Sequence, residues 1–431
     1  MGRLPRARFR SSLDHPDMPS DRAVIIGGGV IGACIAHSLA RRGRSPILLE
    51  RADIAGAASF GNAGLISVGH LPLPRPGLIL KSLKWMFDGT SPLLIVPRPD
   101  PALWWWLLGF ARACTHDALK RNMDTIGAMS RLTPALFNQY ADQYALDFEY
   151  RRTGYMDVFR TEAAFDHARR DAEMVRALGI REDPITGEEA QRREPALLPG
   201  VAGAIWRADA SFANPRRFVT AVADSARALG ADIRANTPVT DIDTRGGRVT
   251  GVRLADGSFI DADTVILAAG AWSTPIAKKV GARVPMQPAK GYHAMVEQPA
   301  TPLKVACSLG EVFVAATPMD GALRLAGTLE LSGLNLDMRR ERLDMLKPGA
   351  AKFIAGVGDS RVLSTWCGLR PCAADGLPII GPAPKTQGLY VATGHAMMGF
   401  WLAPVTGELV AQSLCNEPVQ VDLGPMRVDR L

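Results

Sequence analysis

The chain contains 431 residues, of which 47% are hydrophobic and 22% are charged. These values are those of ordinary globular proteins, so they exclude a mainly disordered chain or a collagen-like repeat, and the length predicts two or three domains. The net charge of +7 is a mild basic excess, and no apolar run approaches the ~20 residues needed to cross a bilayer.

The chain begins with an arginine-rich segment, and we predict residues 1–20 to be a flexible basic tail. Such a tail can bind nucleic acid or anionic lipid. A translation start at Met18 also explains it, and the sequence leaves Met1 and Met18 both open as starts. The segment has no apolar core like that of a secretory signal, so we do not expect export by that route. Its arginines are Arg3, Arg6, Arg8 and Arg10.

Cysteine and histidine usage excludes two classes of site. The six cysteines are spread through the chain without a CxxC pair, which argues against a disulfide framework and fits a reducing compartment. The seven histidines show neither HxxxH nor HExxH spacing. We therefore expect no structural or catalytic metal.

The first predicted element is a strand at Ala23–Ile26, whose continuous apolar run is typical of a strand buried on both faces of a parallel sheet. GGGVIG follows directly, and the helical pattern after it ends near Gly43. A second strand over Pro46–Leu49 is closed by Glu50. Strand, glycines, helix, strand and acid in this order predict a dinucleotide-binding unit.

Each part of that unit has a physical role. Gly27 permits the tight turn, Gly29 lets the backbone approach a pyrophosphate, and Gly32 lets helix and strand pack closely. The helix N-terminus offers N–H groups to phosphates, and Glu50 accepts hydrogen bonds from ribose hydroxyls. No second GxGxxG follows, and the rest of the chain favours a flavin as the nucleotide.

Residues 71–204 lack a βαβ rhythm, and we interpret them as an inserted second domain. They contain predicted helices at Thr115–Tyr144 and Glu162–Leu178. They also contain the triplet Trp104–Trp106, which is most simply explained by packing between domains. A membrane or partner contact is the alternative, because exposed aromatic patches often mark binding surfaces.

A helix begins at Asn214, with asparagine as N-cap and Pro215 at the first helical position, and runs to about Gly230. A short strand, a meander with glycine turns, and a buried strand over Thr264–Ala269 follow. Because that strand ends at Gly270, its backbone is expected at the cofactor edge of the sheet.

Further strands are expected in the second domain. Lys290–Glu297 alternates, so Tyr292 and His293 point to opposite faces. Strand patterns at 311–316 and 322–328 continue it and predict a mostly antiparallel sheet.

The last part of the chain contains GLRPCAADGLPIIG, LYVATGHAMMG and an apolar helix over Phe400–Leu414. This helix follows the loop Gly394–Gly399. Its positive N-terminal end is expected to stabilise negative charge on a reduced flavin.

Taken in order, these motifs resemble the FAD-dependent D-amino acid oxidase superfamily, and within it the bacterial D-amino acid dehydrogenases of small-subunit type, over residues 22–425. The resemblance is carried by IIGGGVIG with Glu50, SFGNAGLIS at Ser59–Ser67, LKSLKWMF at Leu80–Phe87, KGYH, GLRP…DGLPIIG and the GH…G loop.

The resemblance implies an α/β fold in which a Rossmann-like FAD-binding domain of glutathione-reductase type, discontinuous in sequence, is joined to an α+β substrate domain built on a mostly antiparallel sheet. The expected FAD-binding segments are 21–70, 205–285 and 355–425, and the expected substrate-domain segments are 71–204 and 286–354.

It also implies non-covalent FAD, since neither Cys367 nor Cys372 lies in the motif that attaches the flavin in sarcosine-oxidase relatives. The adenosine is expected at Glu50 and Arg51, with Val239 on its adenine side. The residues implied to contact FAD are Gly27, Gly29, Val30, Ile31, Gly32, Glu50, Arg51, Ser59, Asn62, Ala63, Gly64, Val239, Ala269, Gly270, Gly368, Gly394, His395, Met398 and Gly399.

For catalysis, the resemblance implies that Arg370 binds the substrate carboxylate with Tyr292 as a second donor. A guanidinium offers a rigid bidentate fork to a carboxylate. A surface arginine that caps a turn is the alternative. His293 and His395 either tune the proton on the substrate amine or serve packing and hydrogen bonding.

The implied reaction is oxidative deamination of D-amino acids to 2-oxo acids, by hydride transfer from Cα to flavin N5 and hydrolysis of the imine. Electrons would pass to a quinone or another respiratory acceptor, although the sequence leaves an oxidase open. We expect no nucleic-acid partner and a cytoplasmic location, with peripheral contact at the cytoplasmic face of the inner membrane as a further option.

Two alternatives to that function stay open. His293 and the pair Met397–Met398 motivate a cyclic or N-substituted substrate: D-hydroxyproline, D-proline, sarcosine or glycine. The tryptophan triplet and the basic tail motivate a redox-silent flavin-binding subunit of a larger complex.

Overall fold

A computed structural model describes residues 22–69, 71–79 and 91–431. The predicted tail at 1–20 and the LKSLKWMF motif lie outside the described residues. The described strands are β1 (Ala23–Ile26), β2 (Ile47–Leu49), β3 (Leu65–Ile66), β4 (Leu93–Ile95), β5 (Tyr155–Phe159), β6 (Asp183–Thr186), β7 (Gly203–Arg207), β8 (Ser211–Phe212), β9 (Asp232–Arg234), β10 (Val239–Arg245), β11 (Arg248–Leu254), β12 (Phe259–Asp261), β13 (Thr264–Leu267), β14 (Met286–Glu297), β15 (Ala306–Leu309), β16 (Val314–Met319), β17 (Ala322–Leu331), β18 (Val362–Ala373), β19 (Ile379–Pro382) and β20 (Leu389–Thr393).

Ten helices are described together with these strands. They are α1 (Val30–Ala40), α2 (Pro101–Ala113), α3 (His116–Asn138), α4 (Glu162–Arg176), α5 (Gly187–Arg193), α6 (Pro215–Ala228), α7 (Ser273–Lys279), α8 (Arg340–Asp344), α9 (Leu346–Ala351) and α10 (Gly399–Leu414). No helix in the described part of the chain is long and apolar enough to cross a membrane.

The first sheet has the order β19-β20-β13-β1-β2-β9, and all its neighbours are parallel except β19 and β20. β1 is buried on both faces, as its continuous apolar run predicts. Ile25 packs under α1, α6 and α10, whereas Val24 and Ile26 pack on the opposite face toward β10–β12 and α7. This arrangement confirms a Rossmann-like unit assembled from distant parts of the chain.

The second sheet has the order β18-β14-β17-β16-β15-β5-β7-β6, with β4 beside β17. Among the described strands of this sheet, only the β15–β5 and β17–β4 pairs are parallel, so the prediction of a mostly antiparallel sheet is confirmed. The structure differs from two of the predicted domain boundaries in this sheet. The sequence predicts that residues 355–425 belong to the FAD-binding domain, but β18 pairs with β14 from Ala373 to Val362 and belongs to the second sheet. β7, which crosses the predicted boundary at 204, also lies in the second sheet.

Helix α3 requires another correction. The sequence interpretation put residues 71–204 in the substrate domain, but Ile126, Met129 and Phe137 on α3 lie in the core of the first sheet. The Phe137 ring is 5.6 Å from that of Phe400 on α10. The apolar stripe of α3 therefore covers the FAD-binding unit, a choice between two cores that helical periodicity alone does not make.

Parallel strands bring their carboxyl ends to one edge of the first sheet. Gly27 follows β1, Glu50 follows β2, Gly270 follows β13 and His395 follows β20, and all four line one cavity. Ligands of open α/β sheets bind at this edge. The second sheet forms the opposite wall of the same cavity.

Candidate active site

A cavity of about 980 Å³ lies between the two sheets. We call its two walls the first-sheet side, formed by residues that follow β1, β2, β13 and β20, and the second-sheet side, formed by β14, β17 and β18. Helix α2 and residues 73–79 close it laterally. This volume lies at the upper end of ordinary ligand pockets and suits an extended cofactor together with a small substrate.

The turn between β1 and α1 contains glycines, among them Gly27 and Gly32, that cannot be replaced without overlap. Gly27 has φ +117°, and a Cβ there would overlap the carbonyl of Ala268, which directly follows the neighbouring strand β13. A Cβ on Gly32 would overlap the carbonyl oxygen of Gly27, so Gly32 allows helix and strand to pack and does not itself line the cavity. At Gly29 a Cβ would meet only the Ser59 hydroxyl, at 3.3 Å. The backbone at Gly29 is thus open to the cavity.

Glu50 closes β2 with its carboxylate turned to this turn. Oε2 accepts the Gly28 N–H at 2.7 Å, and Oε1 accepts the Ala52 N–H at 3.2 Å. Each carboxylate oxygen has a further acceptor site for a ribose hydroxyl. Beside it, the Arg51 guanidinium lies 3.8 Å above the Trp272 ring, and both residues line the cavity.

The loop after residue 58 is held between α1 and β17. The Ser59 hydroxyl accepts the Val30 N–H at 2.9 Å, and the buried Arg324 donates to the carbonyls of Phe60 and Asn62 at 3.0 and 2.7 Å. The Asn62 side chain accepts the Gly64 N–H at 2.8 Å. Ser59, Asn62 and Ala63 line the cavity, whereas Gly64 serves the turn with φ +78°.

His395 is a buried polar group that faces this side of the cavity. Its Nε2 lies 3.0 Å from the Thr406 hydroxyl, and its Nδ1 has no hydrogen-bond partner among the described residues. Burial lowers the pKa of His395 to about 3, so the ring is neutral at physiological pH. A glycine cradle, an acid after the second strand and an unpartnered ring nitrogen fit a dinucleotide such as FAD on this side.

Arg370 stands at the centre of the second-sheet side. Its strand partner on β14 is Ala289, and its guanidinium lies beside Gly291, where a Cβ would overlap it. Gly291 therefore makes the room that Arg370 occupies. Nη1 donates to the Thr328 carbonyl at 2.8 Å. Burial lowers the pKa of the guanidinium, but an arginine stays a cation in proteins. The side chain faces the cavity, so it does not cap a surface turn.

Thr328 owes its position to an irregularity in β17. The β14–β17 register shifts between Lys290 and Tyr292, and Thr328 has φ +59°. A β-branched residue in this region is strained, and such strain is found where a bulge redirects the backbone. The bulge directs the Thr328 carbonyl at Arg370. Sequence reasoning missed Thr328, and no local pattern marks it.

Trp366 was also missed, although a signal was present. Residues 366, 368 and 370 alternate along β18 and share one face. The indole lies where a Cβ on Gly61 or Gly368 would be, so both glycines make room for it. The strand alternation around Arg370 would have found Trp366.

The predicted role of Tyr292 is wrong. Its hydroxyl donates to Glu330 Oε2 at 2.6 Å, and Glu330 also pairs with Lys290 Nζ at 3.3 Å, both carboxylate and ammonium being buried. Arg370 pairs with Ala289, so the odd residues of β14 share the face of Arg370 and Tyr292 lies on the other face. Tyr292 does not line the cavity.

His293 lies on the same face of the second sheet as Arg370, but it packs against Trp366 and does not line the cavity. Its ring stacks on the indole at 5.2 Å and 18°, and its Nδ1 lies 3.2 Å from the Gly61 carbonyl oxygen. Burial and the nearby Arg324 charge lower the pKa of His293 to about 3. Packing, one of its two predicted roles, describes it.

The predicted site residues divide into two groups. Those that line the cavity are Gly27, Gly29, Val30, Ile31, Glu50, Arg51, Ser59, Asn62, Ala63, Val239, Ala269, Gly270, Gly368, Arg370, His395 and Gly399. Those that do not line it are Gly32, Gly64, Tyr292, His293, Gly394 and Met398. Met398 packs in the first core, and its neighbour Met397 lines the cavity in its place.

Two observations complete the walls. None of the described cavity-lining residues is a cysteine: the Cys367 thiol donates to the Leu336 carbonyl at 3.2 Å, and Cys372 is buried beneath α2. Trp106 packs against residues of β14, β17 and β18 in the second sheet, a contact within one domain and not the predicted packing between domains. Trp104 and Trp105 are 58% and 64% exposed.

Comparisons with known proteins agree on one family. The profile of the DAO family, described as "FAD dependent oxidoreductase", matches residues 22–413. D-amino acid dehydrogenase of Phenylobacterium zucineum (strain HLK1) is 32% identical over 413 residues, covering 93% of this chain and 96% of that protein. Glycine oxidase from Geobacillus kaustophilus has a TM-score of 0.74 and 25% identity, with 95% and 99% of the two chains covered. L-proline dehydrogenase from P. horikoshii shares the fold, with a TM-score of 0.74, 22% identity and coverage of 95% and 97%.

Proposed function

We propose, because this chain belongs to the DAO family of FAD-dependent oxidoreductases, that it oxidises D-amino acids to 2-oxo acids. FAD-dependent oxidation of an amino acid is supported by the family and by the names of the relatives reported above; the D-configuration of the substrate is the proposed part. The observation that carries the proposal is Arg370, a cation that faces a cavity whose opposite wall fits a dinucleotide.

In this proposal FAD is held without a covalent bond. The β1–α1 turn would receive the pyrophosphate through backbone N–H groups, and Glu50 and Arg51 would hold the adenosine. His395 and the N-terminus of α10 would hold the flavin. When bound, FAD would supply the two-electron oxidising chemistry for removal of a hydride from the substrate Cα.

Arg370 holds the substrate carboxylate. One of its N–H groups is fixed on the Thr328 carbonyl, and it forms no other hydrogen bond with the described residues. The remaining donors present a fork of the kind that binds a carboxylate with two parallel bonds. Gly291 keeps the space around this fork clear, since any side chain there would displace the guanidinium.

The substrate amine reacts in its neutral form. Glu50 is the only carboxylate among the described residues that line the cavity, and it belongs to the first-sheet side. An ammonium group beside Arg370 would therefore lack a counter-charge and lose a proton on binding. The lone pair of the amine would then form an iminium ion as hydride leaves Cα, and water would convert this ion to 2-oxo acid and ammonium.

A second candidate is a cyclic or N-substituted amino acid. The likeness to glycine oxidase of G. kaustophilus favours it, as does the fold shared with an L-proline dehydrogenase. The site chemistry is the same, because a secondary amine has the lone pair that the reaction needs and the same carboxylate for Arg370.

The electron acceptor in this proposal is a quinone or another respiratory carrier. The name of the P. zucineum relative, a dehydrogenase, supports it. The exposed Trp104 and Trp105 offer an apolar surface for contact with a membrane. Reoxidation of the reduced enzyme by a soluble quinone at a rate above that in air is the expected result.

Anaerobic reduction of the bound flavin by matched D- and L-amino acids tests the function. Bleaching of the flavin absorbance by D-isomers, and not by their L-isomers, is expected. Reduction only by proline, hydroxyproline, sarcosine or glycine would select the second candidate. Absence of reduction by every compound would leave the redox-silent subunit.

A further inference from the structure

We propose that the site selects amino acids with a large, uncharged apolar side chain, an inference that rests on the proposed function of this same site. It concerns the space beside Arg370 that a substrate side chain enters once its carboxylate is bound. Helix α2 and strands β4 and β17 form this space, and we call their cavity-facing residues the apolar wall. Its members are Ile95, Leu103, Leu107, Phe110, Leu329 and Leu331.

Helix α2 is attached directly beside Arg370. The Trp106 Nε1–H donates to the carbonyl of Cys372 at 2.8 Å, and Cys372 is two residues beyond Arg370 on the same face of β18. The Phe110 ring stacks on Trp106 at 5.2 Å and 20°. The wall is therefore fixed relative to the guanidinium by a buried hydrogen bond and a ring contact.

Strand β17 supplies the other part of the wall. Leu329 directly follows Thr328, whose carbonyl holds the guanidinium, and Leu331 packs with Leu103 and Trp106. β4 runs parallel to this segment, with Leu93 paired to Leu329 and Ile95 to Leu331. The same segment that orients Arg370 thus continues into apolar surface.

The apolar wall carries no charged side chain among the described residues. The charged residues among the described lining are Glu50 and Arg51, which belong to the first-sheet side, together with Arg75 and Arg370. Arg75 is paired with Asp171 at 3.1 Å. A cationic side chain would lose its hydration against the wall without gaining a partner, whereas a large apolar side chain would displace water from it.

Size is the second criterion. A substrate without a side chain, such as glycine, leaves the wall in contact with water and gains nothing from it. A leucine or phenylalanine side chain covers it. One methylene in an apolar pocket changes kcat/KM by roughly 10-fold to 200-fold, so this wall is sufficient for a clear ranking.

Steady-state assays of the holoenzyme with a dye acceptor test this ranking with D-phenylalanine, D-leucine, D-alanine and D-lysine. We expect kcat/KM for D-phenylalanine and D-leucine to exceed that for D-alanine by about tenfold or more, with D-lysine lowest. In Phe110→Ala the ratio of D-phenylalanine to D-alanine kcat/KM is expected to fall by about tenfold. Leu108→Ala is the matched control, because Leu108 lies on the same helix, is exposed and does not line the cavity, and it should leave the ratio unchanged.

The outcomes separate this inference from the function on which it rests. If D-alanine or D-lysine is the better substrate of the unaltered enzyme, the selection by the apolar wall is wrong while D-amino acid oxidation stands. A ratio that is the same in Phe110→Ala and the unaltered enzyme also overturns it. If no D-amino acid reduces the flavin, the proposed function fails and this inference fails with it.

Discussion

The two sides of the cavity are built in different ways. The first-sheet side is formed by loops at the ends of β1, β2, β13 and β20, and the stretch from Gly27 to Asn62, in which glycines and Ser59 shape the turn, presents backbone to the cavity. The second-sheet side consists of side chains from three strands and a helix that are far apart in the chain. Recognition of a phosphate by N–H groups needs a local loop, whereas a carboxylate anchor in an apolar wall needs a sheet to be assembled first.

The largest effect is expected from Arg370→Ala. Loss of the cation that pairs with a desolvated carboxylate costs about 2–5 kcal/mol, a loss of roughly 30-fold to 4,000-fold in kcat/KM. FAD content should be unchanged, because Arg370 belongs to the second-sheet side. Arg370→Lys is the matched variant: it keeps the charge without the fork, so its kcat/KM should lie in between. Unaltered kcat/KM in Arg370→Ala would remove Arg370 from the site.

Glu50→Ala is expected to weaken FAD binding and to leave the substrate KM nearly unchanged, the opposite of the effect of Arg370→Ala. It removes the acceptor of the Gly28 and Ala52 N–H groups and of the ribose hydroxyls. Hydrogen bonds to a charged group are worth about 1.5–3 kcal/mol, so the Kd for FAD should rise by tenfold or more. Titration of the apoprotein with FAD measures it. In enzyme saturated with FAD the substrate KM should change little, and a large KM effect instead would show that the two sides are not separate.

Tyr292→Phe tests whether the face of the second sheet that carries Tyr292 serves stability and not substrate binding. The hydroxyl is bonded to the buried Glu330 and does not face the cavity. We expect a loss of about 1–3 kcal/mol in the free energy of unfolding, because a buried carboxylate loses a donor. KM should stay within about twofold of the unaltered enzyme. A KM increase as large as that of Arg370→Ala, with stability unchanged, would return Tyr292 to the substrate site.

Acid is expected to lower the free energy of unfolding of the whole chain, and thus to affect both sides of the cavity together, because three histidines are buried. Burial lowers the pKa of His37 to about 4 and those of His293 and His395 to about 3. Below pH 6.5 the unfolded chain binds protons that the folded chain does not, so each histidine lowers the free energy of unfolding by about 1 kcal/mol per pH unit. Glu182 acts in the opposite direction, because burial raises its pKa to about 7.

Three histidines lower the free energy of unfolding and Glu182 raises it, so a net loss of stability is expected as the pH falls from 6.5 to 5.5. Urea unfolding at these two pH values measures this loss. A midpoint that is equal or higher at pH 5.5 would contradict the neutral state assigned to the buried histidines.

The sequence predicted the first-sheet side better than the second. The run from Gly27 to Glu50 encodes its own turn and acid, because each role depends on neighbours within one strand–helix–strand unit. Arg370 was found through a resemblance, and it faces the cavity. The prediction for Tyr292 is wrong because strand alternation tells which residues share a face but not which face meets the cavity.

Other features depend on the assembled sheets. The strained conformation of Thr328 follows from a register shift between β14 and β17, which neither strand reveals alone. The packing of α3 on the first core, against the expected domain boundary, likewise depends on a choice between two apolar surfaces.

A structure of the FAD-loaded enzyme with an unreactive aromatic carboxylate tests the central claim most directly. The account predicts the carboxylate oxygens about 3 Å from the Arg370 guanidinium nitrogens, with the aromatic ring against α2 and the cofactor against the β1–α1 turn. A carboxylate bound away from Arg370, or a cofactor outside this cavity, would contradict it.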